Sequence, residues 1–123
     1  MIPDGTFVTA TGDYDFTSPA SLQGVIGNQG GLDDCFVFNN SGKLIRMAEL
    51  FDDQTGIKLY VCSDYPGKFL NVKQAKDGKQ YGPYAGVALE AQFWPDSPNH
   101  PEFPSTLLVP GEIYRKTTIY GFE

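Results

Sequence analysis

The sequence predicts an all-β protein built from antiparallel sheets, with little or no helix. Glycine, proline, aspartate and asparagine recur every several residues, and short runs between them are rich in β-branched and aromatic residues. No segment keeps a helical apolar period beyond about two turns. At 123 residues the chain has room for one small domain with a core, so we expect residues 1–123 to form a single domain.

The clearest predicted elements are two strands at residues 44–51 and 57–62, in which apolar and polar side chains alternate. Residues 52–56 contain turn-forming residues and predict a hairpin between the two strands. Asp52 and Asp53 are adjacent carboxylates and could be taken for an acid/base pair. At the tip of a hairpin we expect them to be solvated turn residues instead.

Similar composition predicts further strands and one short helix. The helix is expected at residues 18–25, where Pro19 occupies a position that tolerates proline in a first turn. The last strand is expected to follow the turn pair Pro110-Gly111, because the residues beyond it are rich in Thr, Tyr and Ile. The additional predicted strands are residues 14–16, 36–38, 69–72, 87–92, 106–109 and 112–122.

Composition argues against several classes of function. The net charge is −6, and no basic residue precedes Lys43, so we expect no nucleic-acid partner. No apolar run approaches membrane-spanning length and residues 1–5 lack signal-peptide features, so we expect a cytoplasmic protein without a membrane partner. One histidine and two distant cysteines cannot supply a zinc site, and Cys35 and Cys62 are more consistent with reduced thiols than with a disulfide.

One stretch stands out, because residues 86–99 place a lone glutamate, Glu90, in an apolar strand-like run that leads into a polar loop. Apolar surroundings disfavour the charged form of a carboxylate, which suits a general base working near neutral pH. The same pattern also fits an exposed glutamate on the solvated face of an edge strand. The pattern alone does not choose between the two.

The aromatic content indicates a class of ligand. Seven tyrosines, nine phenylalanines and one tryptophan in an acidic β-protein suit sugar binding, since sugar rings stack on aromatic faces while carboxylates and amides bind hydroxyls. Most of these rings are expected to fill the core. Only rings beside carboxylates are candidates for binding.

Several segments, in order along the chain, resemble the C-terminal portion of the aldose 1-epimerase (galactose mutarotase) family. The resemblance covers nearly the whole chain, and it depends on the order and spacing of motifs that are individually weak. The segments are Ile2-Pro3-Asp4-Gly5 with Tyr14-Asp15-Phe16, residues 31–38, residues 59–67 ending in Asp64-Tyr65-Pro66-Gly67, residues 86–99, and residues 103–114.

The resemblance implies a fold, an activity and a set of site residues. It implies part of a β-supersandwich and the interconversion of the α and β anomers of a hexose such as galactose or glucose, without a cofactor or metal. Glu90 matches the family's catalytic base, and Asp33 matches an aspartate that binds sugar hydroxyls. Phe69 is the nearest match to a pocket-lining aromatic residue, across a one-residue gap. The family also includes sugar-phosphate epimerases, which need basic residues that Arg46, Lys68 or Arg115 could supply.

The chain also departs from the family, whose members are more than twice as long and carry their catalytic histidines in the N-terminal half. The single histidine, His100, matches none of these and is expected to pack or be solvated in its loop. The resemblance therefore implies a segment that holds the base and part of the sugar pocket. The alternatives are a stand-alone carbohydrate-binding module without catalysis and an inactive structural remnant. Open sheet edges favour a homo-oligomer or pairing with a chain that carries the N-terminal half.

Overall fold

The computed structural model describes residues 4–29, 31–71 and 85–123. Within these residues the chain forms six strands, one α-helix and two short 3₁₀ turns, so the predicted all-β fold with little helix is confirmed. The helix, α1, covers Leu22–Gln29, and the 3₁₀ turns cover Gly12–Tyr14 and Ser97–Asn99. The strands are β1 (Asp34–Val37), β2 (Ile45–Phe51), β3 (Lys58–Ser63), β4 (Gly67–Asn71), β5 (Ala88–Gln92) and β6 (Thr118–Phe122).

The strands form two three-stranded antiparallel sheets. Sheet A has the order β1-β4-β5, and sheet B has the order β2-β3-β6. Hydrogen bonds connect the two sheets: the Tyr120 hydroxyl of β6 donates to the Leu89 carbonyl of β5 at 2.7 Å. Asn40 follows β1, and its side-chain Nδ2 donates to the backbone carbonyl of Tyr65, beyond β3, at 2.8 Å.

The hairpin between β2 and β3 has the predicted turn. The Gly56 amide donates to the Asp52 carbonyl at 2.8 Å, and Gly56 has a φ of 74°, a left-handed conformation that favours glycine. The Asp52 carboxylate accepts hydrogen bonds from the Thr55 hydroxyl and the Gln54 amide, which hold the pKa of Asp52 below its usual value. Asp52 therefore acts as a turn former rather than as half of an acid/base pair.

Three strand predictions differ from the structure. The strand expected at residues 112–122 is limited to β6, because only Thr118–Phe122 has a neighbouring strand, β3. Residues 106–109 form no strand although they are apolar, and Leu107 is exposed. At residues 14–16 the chain instead completes a 3₁₀ turn and then bends, with the Asp15 carboxylate accepting the Thr17 amide at 3.0 Å. Strand-forming residues need a partner to satisfy their backbone groups.

The helix begins and ends later than the sequence predicts, at Leu22–Gln29 rather than 18–25. The Ser21 carbonyl accepts the amides of Gly24 and Val25, which starts the first turn after Pro19. Glycines weaken a helix, and Gly27 lies just beyond Val25, so local propensity does not predict the last turn. Val25 is buried within the helix, and in the last turn the side chain of Asn28 donates to the Asp13 carboxylate at 3.3 Å.

The core is small. Buried apolar side chains among the described residues include Val25, Met47, Val61 and Phe103, and buried polar residues accompany them. Cys35 in β1 and Cys62 in β3 lie in different sheets as free thiols. In the described ranges, no helix has the length and apolar character needed to cross a bilayer.

Candidate functional site

Glu90 lies at the centre of β5, and the register of sheet A places it beside β4, the central strand of the sheet. Its backbone pairs with that of Phe69 in β4, and Phe69 pairs on its other side with Cys35 in β1. The structure describes the backbone of Phe69 but not its side chain. Glu90 and Phe69, both of which the family resemblance singled out, are thus direct cross-strand neighbours.

Asp33 immediately precedes β1 and lies two residues before Cys35, which pairs with Phe69. Both Asp33 and Glu90 are exposed. The Asp33 amide donates to the Asp34 carboxylate at 3.2 Å, which connects the backbone before β1 to the first residue of the strand.

The surroundings of Glu90 differ from those of a buried carboxylate. β5 is an edge strand of sheet A, and Glu90 is exposed. Its apolar sequence neighbours, Leu89 and Ala91, alternate to the opposite side of the strand and do not desolvate it. Of the two environments that the sequence allowed, the structure has the solvated edge-strand glutamate.

The three basic residues named in the sequence analysis lie in different parts of the described structure. Arg46 lies in sheet B, where its guanidinium pairs with Glu49 at 3.2 Å and with Glu123 at 3.3 Å. Lys68 lies in β4, but its cross-strand neighbours are Phe36 and Ala91, so it occupies the face of sheet A opposite Glu90. Arg115 is exposed and lies outside the strands.

Lys68 is unusual because it is buried, with only 4% of its surface exposed. No described atom lies within hydrogen-bonding distance of its Nζ. Burial disfavours the ammonium form and lowers the pKa of Lys68 to about 8. The sequence identified Lys68 only as one of three basic residues that could serve a sugar-phosphate site. Its burial could not be predicted, because it depends on residues far away in the chain.

His100 is held within its own loop, as the sequence led us to expect. Its Nδ1 lies 3.1 Å from Glu102 Oε1, and its Nε2 lies 3.5 Å from Asp96 Oδ2. The ring stacks on Phe103 at a centroid distance of 4.4 Å and an angle of 16°. These contacts make His100 a packing residue of the loop that follows β5.

An aromatic cluster next to this loop was not predicted. Phe7, Trp94 and Phe103 contact one another with ring centroids 5.0 to 5.5 Å apart. The Trp94 indole donates to the Pro66 carbonyl at 2.8 Å, and a Cβ at Gly67 would lie only 2.7 Å from the Trp94 ring. Trp94 thus packs directly over the start of β4, which requires glycine there. Phe7 lies too far along the chain for a local pattern to place it.

The same cluster borders an open cavity of about 490 Å³. Its walls are the aromatic residues Phe7, Phe93 and Trp94, the loop at residues 38–42, and the pair Asp64 and Lys116, with Val37, Pro66 and Pro104 completing the lining. Neither Glu90 nor Asp33 lines this cavity. The cavity is therefore distinct from Glu90 and Asp33, although Asp64, Pro66 and Trp94 of its lining lie in segments that carry the resemblance.

Comparisons with known proteins all indicate the aldose 1-epimerase family. The family model described as aldose 1-epimerase matches residues 1–121. The galactose mutarotase of Mus musculus is 41% identical over 79 residues, which cover 63% of this chain and 22% of that protein. The aldose 1-epimerase of Escherichia coli K12 is 35% identical over 101 residues, covering 75% of this chain and 29% of that protein. The chain spans less than a third of the length of these relatives.

Proposed function

Because the chain belongs to the aldose 1-epimerase family, we propose that it is the base-bearing C-terminal part of a hexose mutarotase. The substrate would be a hexose such as galactose or glucose, in line with the names of its relatives. The observation that carries the proposal is the register of sheet A, in which Glu90 pairs with Phe69 and Phe69 pairs with Cys35, two residues after Asp33.

In this proposal Glu90 is the general base. It takes the proton from the anomeric hydroxyl while an acid protonates the ring oxygen, so that the ring opens. Rotation about the bond between C1 and C2 followed by ring closure gives the other anomer. Asp33 binds sugar hydroxyls and Phe69 lines the pocket. Exposure of both carboxylates suits a site whose remaining walls come from elsewhere.

The acid would come from the part of the fold that family members carry in their N-terminal half. His100 is the only histidine of the chain, and it is stacked on Phe103 between two carboxylates. Reaching a sugar beside Glu90 would require this packing to break. We therefore propose that the chain works with an N-terminal half. From its composition we also propose that it works in the cytoplasm and without a nucleic-acid partner.

A graft onto a relative tests the role of Glu90. The chain replaces the matching portion of the Escherichia coli aldose 1-epimerase, and polarimetry follows the mutarotation of α-galactose and α-glucose. We expect the graft to be active and Glu90→Gln to lower its rate by about two to four orders of magnitude. Glu49→Gln is the matched control, because Glu49 is also an exposed glutamate of an edge strand. Equal rates for both variants would refute the role of Glu90.

Binding without turnover is the second candidate, and the solvent-exposed carboxylates of sheet A favour it for the chain taken alone. Here the isolated chain would bind a hexose through Asp33 and Phe69 but would not speed mutarotation. NMR titration with galactose distinguishes this from an inactive remnant. Amide shifts at Asp33, Glu90 and their neighbours would support a binding module, and the absence of shifts at these residues at high sugar concentration would support a remnant.

A further inference from the structure

The cavity bordered by Trp94 has walls that hydrogen bonds hold in place. Asn40 is buried, and its side-chain Nδ2 donates to the Tyr65 carbonyl at 2.8 Å while its side-chain Oδ1 accepts the Gly42 backbone amide at 3.1 Å. The loop at residues 38–42 is thereby fixed to the chain beyond β3. On the opposite wall the hydrogen bond from Trp94 to Pro66 fixes the indole ring. The cavity is thus formed before any ligand arrives.

Polar groups of both charges border the same cavity. The Lys116 ammonium donates to the Asp64 carbonyl at 3.0 Å, and the Asp64 carboxylate accepts the Thr117 amide through one oxygen at 2.9 Å. An ammonium has three hydrogens and a carboxylate has two oxygens, so each group has bonding capacity left for a ligand. Asn39 and Ser41 add exposed polar side chains at the rim.

This combination selects a class of ligand. A carboxylate on the wall disfavours anions, and an ammonium beside it disfavours cations. The rings of Trp94, Phe93 and Phe7 offer flat apolar faces, while donors and acceptors lie next to them. A pyranose has the same two properties, since it carries an apolar ring face and hydroxyl groups around its edge. A volume of about 490 Å³ lies in the range of small-molecule sites.

We propose that the cavity bordered by Trp94, Asn39, Asp64 and Lys116 is a second saccharide site, which binds one pyranose ring of a neutral hexose. This site is independent of Glu90 and Asp33. The ring would lie against the indole of Trp94, with its hydroxyls on Asn39, Asp64 and Lys116. Such a site would hold a sugar close to the sheet that carries Glu90 without taking part in anomer exchange.

Tryptophan fluorescence tests the proposal directly, because Trp94 is the only tryptophan of the chain. The chain is titrated with D-galactose and D-glucose, and with the open-chain polyol sorbitol as the control for hydroxyl groups without a ring. We expect a saturable change in Trp94 emission with the two hexoses and none with sorbitol. No saturable change with either hexose, or an equal change with sorbitol, would overturn the proposal.

Two variants show whether the signal comes from this cavity. Asn39→Ala and Lys116→Met each remove one polar group, and each should raise the dissociation constant by about three- to tenfold. Glu90→Gln should leave the titration unchanged, which separates this site from the proposed catalytic one. Unchanged binding in both cavity variants would refute the proposal. A Trp94 signal that follows protein concentration instead of sugar would also refute it, because another protein chain would then fill the cavity.

Discussion

Lys68 is a buried basic residue on the face of sheet A opposite Glu90. Its backbone pairs with Phe36 on one side and Ala91 on the other in sheet A, and its Nζ has no hydrogen-bonding partner among the described residues. A buried charge without a partner is unfavourable, and the folded state responds by releasing the proton more readily. The pKa of Lys68 accordingly falls to about 8 from its ordinary value of 10.5.

This shift predicts how stability depends on pH. Between pH 8 and 10.5 the unfolded chain keeps a proton on Lys68 that the folded chain has lost, so the free energy of unfolding rises with pH in this window. Urea unfolding at pH 7 and pH 9 measures the rise. Lys68→Met should remove it and stabilise the chain at pH 7 by about 1–3 kcal/mol. Lys43→Met is the control, since Lys43 is exposed, and an equal gain there would contradict the explanation.

The sequence could identify some of these residues but could not place them together. Glu90 and Asp33 are recognisable because each lies in a short local motif. Their places in the fold depend on the pairing of β5 with β4 and of β4 with β1, which no local pattern specifies. The burial of Lys68 has the same origin, because its cross-strand neighbours come from two other strands.

At the level of elements, prediction succeeded where the signal was local. The β2–β3 hairpin has two strands of alternating residues with six residues between them, five of which were predicted as the turn, so both pairing and turn could be inferred. Residues 112–117 have the composition of a strand but no neighbour to pair with in the described part of the chain, and they form none. Composition indicates that a segment can form a strand, but the strand forms only where a neighbouring strand pairs with its backbone groups.

Two glycines predict opposite effects of the same substitution. Gly56 has a φ of 74° in the hairpin turn, and Gly24 lies inside α1; a Cβ at either position would meet nothing within 4 Å. Gly56→Ala should therefore destabilise the chain by about 1–2 kcal/mol, the cost of a left-handed alanine. Gly24→Ala should stabilise it by about 0.5–1 kcal/mol, because alanine favours a helix. Chemical denaturation of both variants checks the signs, and shifts in the same direction would exclude a conformational cause.

On the scale of the whole molecule, the apolar surface is large for such a small core. Ile113 is 84% exposed, Leu107 76% and Phe122 73%, and β6 is an edge strand of sheet B. Contiguous apolar surface and unpaired strand edges promote contact with other chains. The matched relatives are more than three times as long as the portion that this chain covers, and family members could cover such a surface with their additional residues.

We therefore predict that the isolated chain associates. Size-exclusion chromatography with light scattering at micromolar concentration should give a mass above that of one chain. The double variant Ile113→Ser and Phe122→Ser should shift the mass towards the monomer, because it removes two exposed apolar side chains without touching the buried core. Lys43→Ser, a change at an exposed polar position, is the control and should leave the mass unchanged. A well-behaved monomer of the unmodified chain would show that its exposed apolar side chains do not drive association.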